Sequence, residues 1–235
     1  MSHTHERWSP PPRDPDDDSL RLECGVFGVY DTPEASGITA LGLHALQHRG
    51  QEACGMASFD GQRFHTERHM GYVGDAFGGG DLNTRLPGRT AIGHTRYSTA
   101  GGSFIRNVQP MFADLEQGGL AIGHNGNLTN FLTLRQQLVA DGAIFQSTSD
   151  SEVILHLIAR SKAPTMAGAI AEALLEVRGA YSIVILSRDG IFAARDPNGD
   201  AHGHHRAYLN PHLYPRRTRI LCVAQLRPGG ELPGR

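Results

Sequence analysis

Four groups of polar residues stand where apolar stretches of this 235-residue chain begin or end. They are Cys24 at the head of 24–30, Arg96 beyond 90–93, Asn125-Gly126 beyond 119–123, and Asp150 within Ser149-Asp150-Ser151-Glu152. Such positions are where a rigid scaffold presents reactive side chains. Cysteine is a strong nucleophile once its proton is gone. Were Cys24 the first residue, its own α-amino group, with a pKa of about 7.7–8.0, would be the base. That reading requires removal of residues 1–23; the alternative is a buried structural thiol at a strand start. Arg96 suits a bidentate grip on a carboxylate, or a plain surface ion pair. The Asn125 amide beside the unobstructed N–H of Gly126 suits an oxyanion hole, though Asn-Gly is also a common hairpin turn. Asp150 suits a ligand ammonium, or merely complements a helix dipole. Nucleophile, oxyanion donors, a cation and an anion are together what an α-amino acid ligand requires.

The elements that must position these groups follow from periodicity. Residues 22–30 read as a strand and 37–48 as a helix, with Ile38, Leu41, Leu43, Ala45 and Leu46 at helical spacing. A polar loop at 48–52 leads to a strand at 53–59 and, through Asp60-Gly61, a hairpin to 63–69. Gly78-Gly79-Gly80 reads as a flexible loop, and 90–99 as a strand with the loop leaving it. After the strand 119–123, the spacing predicts a helix at 128–139 with Asn127 as N-cap. Ser149 and Glu152 fit a capping box for a helix that carries Val153, Ile154, Leu157 and Ile158 on one face. Pro164-Thr165 opens another helix, and 180–186 with 191–194 reads as a hairpin about Arg188-Asp189-Gly190. Strands, a block of helices and strands again imply a layered α+β domain.

Composition narrows the functional classes. With 39% hydrophobic and 20% charged residues the chain suits a soluble folded protein, and a net charge of −2 provides no basic field for nucleic acid. No apolar run approaches the ~20 residues of a membrane span, so no membrane partner is expected. Cys24, Cys54 and Cys222 lack metal-site spacing and leave one over, which fits a reducing, cytoplasmic setting. Residues 1–23 are rich in Pro and Asp, lack the apolar core of a signal peptide, and read as a disordered leader. Beyond 198, His202, His204, His205 and His212 mix with arginines and prolines without forming a closed zinc ligand set. The stretch 199–235 therefore reads as an atypical, disordered tail in which only 219–226 has strand character, and no metal site is expected.

Six ordered motifs carry a resemblance to a known family. They are Glu-Cys-Gly-Val-Phe-Gly at 23–28, Leu-Gln-His-Arg-Gly-Gln-Glu at 46–52, Gly-His-Thr-Arg-Tyr-Ser-Thr at 93–99, Asn-Val-Gln-Pro at 107–110, His-Asn-Gly-Asn-Leu at 124–128 and Ser-Asp-Ser-Glu at 149–152. With these the sequence resembles the amidophosphoribosyltransferases, class II glutamine amidotransferases, over about 21–198. Class II relatives that make glucosamine phosphate or asparagine share the cysteine and Asn-Gly. They usually differ after the arginine motif, where this chain has Tyr97-Ser98-Thr99 and Asn107-Val108-Gln109-Pro110.

The resemblance implies a four-layer αββα sandwich of the N-terminal-nucleophile hydrolase type, with a propeptide at 1–23 and a glutaminase domain at 24–198. It implies Cys24 as nucleophile with its α-amine as proton shuttle, and Asn125 and Gly126 as oxyanion donors. Arg96 and Asp150 would grip the carboxylate and ammonium of glutamine, and Arg49 and Gly50 would line the pocket. His94 would be structural, since a free amine makes a histidine base unnecessary. The implied reaction supplies ammonia from glutamine to phosphoribosyl pyrophosphate, forming 5-phosphoribosylamine at the first step of de novo purine biosynthesis.

No phosphoribosyltransferase-like pattern follows Asn198, so the chain reads as the glutaminase half of a longer protein, truncated or frame-shifted. Phosphoribosyl pyrophosphate, magnesium and, in some members, an iron–sulfur cluster would belong to the other domain, so no cofactor is expected in this chain. The full-length protein is expected to be a homo-oligomer. Two other readings stay open: another class II amidotransferase of the glucosamine phosphate type, and a catalytically inactive glutamine-binding or assembly domain. The latter applies if the leader stays attached.

Overall fold

The computed structural model describes residues 24–97 and 104–196, with the backbone of short strands at 204–205, 219–223 and 225–226. The expected leader, Ser98-Thr99 of the arginine motif and the histidine-rich side chains of the tail lie outside the described residues. Strands β1 (Gly25–Tyr30), β2 (Ala53–Phe59), β3 (Phe64–Met70) and β4 (Thr90–Arg96) form one antiparallel sheet in the order β1-β4-β2-β3. Strands β5 (Met111–Leu115), β6 (Gly118–Leu128), β7 (Gly179–Ser187) and β8 (Gly190–Arg195) form a second, in sequential order. Arg219–Val223 adds to the first sheet as an antiparallel edge beside β1. Part of the stretch expected to be disordered is thus a strand, within 219–226 where strand character was legible.

Side-chain alternation along the strands explains the layering, because successive residues face opposite sides of a sheet. On β1, Phe27 and Val29 join Leu43, Met56, Val73 and Phe77 in a core beneath α1 (Ala35–Ala45), α2 (Val73–Phe77) and α3 (Leu82–Arg85). Val26, one residue out of phase with them, packs instead with Ala57, Ile92, Ala121, Val184 and Leu186 in the space between the sheets. On the far side, Leu120, Ile122, Ile183 and Ile185 meet α4 (Phe131–Ala140), α5 (Ser151–Arg160) and α6 (Met166–Glu176) through Leu138, Ile154, Ile158 and Ile170. Three apolar clusters between four layers make the αββα sandwich of the N-terminal-nucleophile hydrolase type. Truncating any of these buried aliphatic side chains to Ala costs about 2–5 kcal/mol.

Three local expectations change. Asn125-Gly126 is neither a turn nor a loop after a strand: β6 continues through it and stays paired with β7 as far as Leu128↔Gly179. The following helix consequently begins at Phe131, with Asn130 rather than Asn127 at its N-cap. The capping box does not close, because the Glu152 carboxylate accepts from Gln146 N at 2.7 Å and Ser147 N at 2.8 Å. It therefore folds the loop before α5 back onto the helix. Helix α6 opens at Pro164-Thr165 as expected, with Thr165 as its N-cap, Oγ1 accepting from Gly168 N at 3.1 Å.

Candidate functional site

Register decides where the candidate residues point. The β1–β4 pairing runs Gly25↔Thr95, Val26↔His94, so one further step sets Cys24 across from Arg96. Val26 and Ile92 face the space between the sheets, and by alternation so do Cys24, His94 and Arg96. On β6, Ala121 faces the same space, and Asn125 shares its phase. The buried His94 donates from Nε2 to the His124 carbonyl at 3.1 Å, bridging the two sheets. The end of β4 is thereby tied to β6 at His124, and Cys24, Arg96 and Asn125 all stand on strand faces turned to the space between the sheets.

Cys24 is half-buried, with its thiol hydrogen directed to the Tyr97 carbonyl at 3.8 Å. Burial pushes the thiol above its ordinary value of 9.0, against the pull of the Arg96 and Arg49 guanidiniums and with the carboxylate of Asp150 adding to the rise. The charges of Arg96, Arg49 and Asp150 are thus all felt at the sulfur. Arg49 ends a 3-10 turn, Gln47–Arg49, and its Nε donates to the Cys24 carbonyl at 3.2 Å. Gly50 makes that reach possible. It lies so close to β4 that a Cβ would sit 2.7 Å from Arg96 N. Cys54, by contrast, is buried beneath α1 and α2, and desolvation lifts its thiol to about 12.

Arg96 is buried and already engaged by the protein. Its Nη1 donates to the Asn107 carbonyl at 2.8 Å, and its Nε lies 3.9 Å from Glu52 Oε1. Asn107 in turn holds Thr148, accepting from its N–H at 3.0 Å and donating to its hydroxyl at 2.9 Å. These contacts fix the guanidinium plane and tie the loop after β4 to the loop before α5.

Gly126 has φ +152, and a Cβ there would collide with the Ala180 carbonyl and sit 2.7 Å from Tyr181 Cα. Only glycine fits. Asp150 is the N-cap residue of α5. Its Oδ2 accepts from Leu128 N at 3.0 Å, and its Oδ1 lies 3.6 Å from His124 Nδ1. Burial opposes ionisation, but His124 and the N–H groups of Leu128 and Ser151 outweigh it and hold the carboxyl below its usual range. The carboxylate is thereby held ionised between the end of β6 and the start of α5. Among the described residues, Asn125 Oδ1 and His124 Nε2 are buried without a hydrogen-bond partner.

Several polar residues at this site had no role assigned from sequence. Gln109 Oε1 accepts from His124 N at 2.6 Å, while its Nε2 donates to the His124 carbonyl at 3.3 Å and to Ser151 Oγ at 3.0 Å. Ser151 Oγ also lies 3.0 Å from His124 Nδ1. All three stand inside the quoted motifs, which was the available signal. A groove of about 460 Å³ between α1, α2 and α3, lined by Leu41, His44, Phe77 and Asn83 among others, includes none of the candidate residues. No helix among the described residues is long and apolar enough to cross a membrane.

Comparison with known proteins identifies the family. The model of a glutamine amidotransferase domain matches residues 94–201. An amidophosphoribosyltransferase of Rhizobium etli is 56% identical over 200 residues, which are 85% of this chain and 40% of that protein. One from Lacticaseibacillus casei is 48% identical over 182 residues, covering 77% of this chain and 93% of the relative. The solved glutamine phosphoribosylpyrophosphate amidotransferase of B. subtilis superposes with a TM-score of 0.69 at 43% identity, covering 75% of this chain and 38% of that one. The chain thus spans 40% of the R. etli relative's length. With this likeness in sequence and fold, the chain belongs to the amidophosphoribosyltransferase family, carrying its glutamine amidotransferase domain.

Proposed function

We propose that this chain hydrolyses the side-chain amide of glutamine, with Cys24 as nucleophile after removal of residues 1–23. The observation that carries the reading is the placing of two arginines at Cys24: Arg49 donates to its carbonyl at 3.2 Å, and the β1–β4 register sets Arg96 across from it, with the charge of Asp150 also felt at the thiol. A cation and an anion beside one nucleophile match the carboxylate and ammonium of an α-amino acid. Arg96 grips the first and Asp150 the second, while Arg49 and Gly50 shape the pocket wall.

The freed α-amine of Cys24 takes the thiol proton, and the thiolate attacks the amide carbon. The Asn125 amide and the Gly126 N–H hold the negative charge that develops on oxygen. Collapse of the tetrahedral adduct breaks the C–N bond, the amine returns its proton to the departing nitrogen, and ammonia leaves a γ-glutamyl thioester. Water then attacks that thioester, giving glutamate and the free thiol. A thiol raised by burial is a poor nucleophile alone, which is why a base on the same residue matters.

In the longer protein the ammonia would be delivered to phosphoribosyl pyrophosphate, giving 5-phosphoribosylamine at the start of purine synthesis, in a homo-oligomer located in the cytoplasm. Any cofactor would serve that second half-reaction. With residues 1–23 attached, Cys24 has an amide in place of the amine, and the chain is an inactive precursor. The test pairs intact mass with a glutaminase assay. Protein beginning at Cys24 releases ammonia from glutamine, and Cys24→Ala does not. Equal release by both would remove the mechanism.

A further inference from the structure

Strand β5 stops two residues short of His124, where β6 needs a partner. The β5–β6 register ends at Met111↔Ile122; continued by two steps, it would set Gln109 opposite His124. The backbone does not make that pairing. The Gln109 carbonyl is turned to the other sheet, against Gly55, where a Cβ would collide with it. The side-chain amide takes the backbone's place. Its Oε1 accepts from His124 N at 2.6 Å and its Nε2 donates to His124 O at 3.3 Å. One primary amide thus satisfies both main-chain groups of His124, as a facing strand residue would.

The N–H groups of β6 alternate in direction, so His124, Gly126 and Leu128 share one edge. His124 N is held by Gln109, and Leu128 N by Asp150 Oδ2 at 3.0 Å. Gly126 lies between them, its N–H directed along the open edge that β5 has vacated. Gln109 also donates to Ser151 Oγ at 3.0 Å, and Ser151 Oγ lies 3.0 Å from His124 Nδ1. The same side chain therefore fixes the strand edge and the first turn of the helix whose N-cap is Asp150. It is 7% exposed, both of its amide hydrogens are committed, and so is its oxygen.

We infer that Gln109 is a positioning residue: it replaces the absent strand, holds the Gly126 N–H on line as the oxyanion donor, and couples that donor to Asp150. This rests on the glutaminase reading above for its catalytic consequence, though not for its structural one. The role is specific to steps that build negative charge on oxygen. Displacement of halide from a haloacetamide by the Cys24 sulfur builds none there.

The experiment compares the parent, Gln109→Met and Gln109→Glu, each processed to Cys24. In Gln109→Met, kcat for glutamine falls roughly a hundred- to a thousandfold, the range of one lost oxyanion donor, while KM and the rate of haloacetamide alkylation of Cys24 stay near the parent's. In Gln109→Glu, a protonated carboxyl restores the acceptor for His124 N and one of the two donors, whereas the ionised carboxylate has no donor, so activity relative to the parent rises as pH falls. Equal losses in glutamine turnover and alkylation, or a Gln109→Glu ratio flat with pH, would overturn the proposal. Amide hydrogen exchange separates this from the glutaminase reading itself. If the parent shows no Cys24-dependent turnover, that reading fails, while faster exchange at His124–Leu128 in Gln109→Met still supports the strand-replacing role and unchanged exchange rejects it.

Discussion

Asp150 Oδ2 accepts from Leu128 N at 3.0 Å, so a single carboxylate joins the start of α5 to the last residue of β6. Asp150→Asn keeps an acceptor at that point and removes the charge. Loss of a charge-assisted contact to the ligand ammonium is worth about 1.5–3 kcal/mol, so kcat/KM for glutamine falls roughly ten- to a hundredfold. Stability responds separately. The folded carboxyl lies below its ordinary value of 3.8. Its contribution is therefore complete above that value and is lost as pH falls through the lower, folded one. Denaturant titrations of parent and Asp150→Asn at pH 6 and in acid check this: the parent's advantage shrinks on acidification, and an advantage that grows would contradict the ionised, ligand-facing carboxylate.

The bridge between the sheets carries its own pH signature. His94 is fully buried, and desolvation lowers its pKa from 6.5 to about 3. The unfolded chain binds a proton near 6.5 that the folded one refuses until about 3. Stability must therefore fall as pH drops through that window, by about 1.4 kcal/mol per unit from this one group. His94→Gln retains a donor for the His124 carbonyl and cannot titrate. Its unfolding free energy should be lower than the parent's at pH 7 and flatter between pH 6.5 and 4. Parallel curves for the two proteins would mean that His94 titrates while folded.

Gly126 offers a steric test of the same edge. Positive φ alone costs a non-glycine residue on the order of 1–3 kcal/mol, and here a Cβ also meets the Ala180 carbonyl across the ladder. Gly126→Ala should lower the melting temperature by several degrees, about 2–4 °C per kcal/mol for a domain of this size. Glutamine turnover measured well below that temperature should fall further than the folded fraction does, because the shifted N–H no longer meets the oxyanion. Turnover that simply tracks the folded fraction would leave Gly126 a structural glycine.

The sequence made some of this site legible and hid the rest for physical reasons. Cys24, Arg96 and Asn125 were visible because each follows or precedes an apolar run, and strand alternation then turns all three into the space between the sheets. The continuation of β6 through His124-Asn125-Gly126-Asn127 was hidden because its pairing with β7 depends on residues more than fifty positions away. Once that strand is extended, Asn127 can no longer cap a helix. β5 carried a readable signal, since Met111 is buried and Phe112 and Asp114 are exposed in alternation, but Pro110 before it and only five residues of length obscured it. The short helices α2 and α3 have five and four residues beside a triple glycine and too little periodicity to read. Gln109 and Ser151 stand in the quoted motifs, but what they bond to could be found only in three dimensions. Their bonds join positions 15 to 42 residues apart, and a glutamine standing in for a strand has no local pattern.

The state of the Cys24 thiol yields the last prediction. Burial raises its pKa above 9.0, and the guanidiniums of Arg96 and Arg49 restrain the rise. An ordinary thiol, with a pKa of about 8.5, is mostly ionised by pH 9. In the intact chain, the rate of haloacetamide alkylation at Cys24 should still be climbing there, since only the thiolate reacts. Arg49→Gln removes one restraining charge and moves the midpoint higher, while the Cys24→Ala chain reports any background from Cys222 and from Cys54, the latter lifted to about 12. Mass spectrometry of the labelled peptide across pH 7 to 11 reads both midpoints. A parent midpoint near 8.5, unmoved by Arg49→Gln, would show an open, uncoupled thiol and would take away the electrostatic case for Arg49 and Arg96 as parts of one pocket around Cys24.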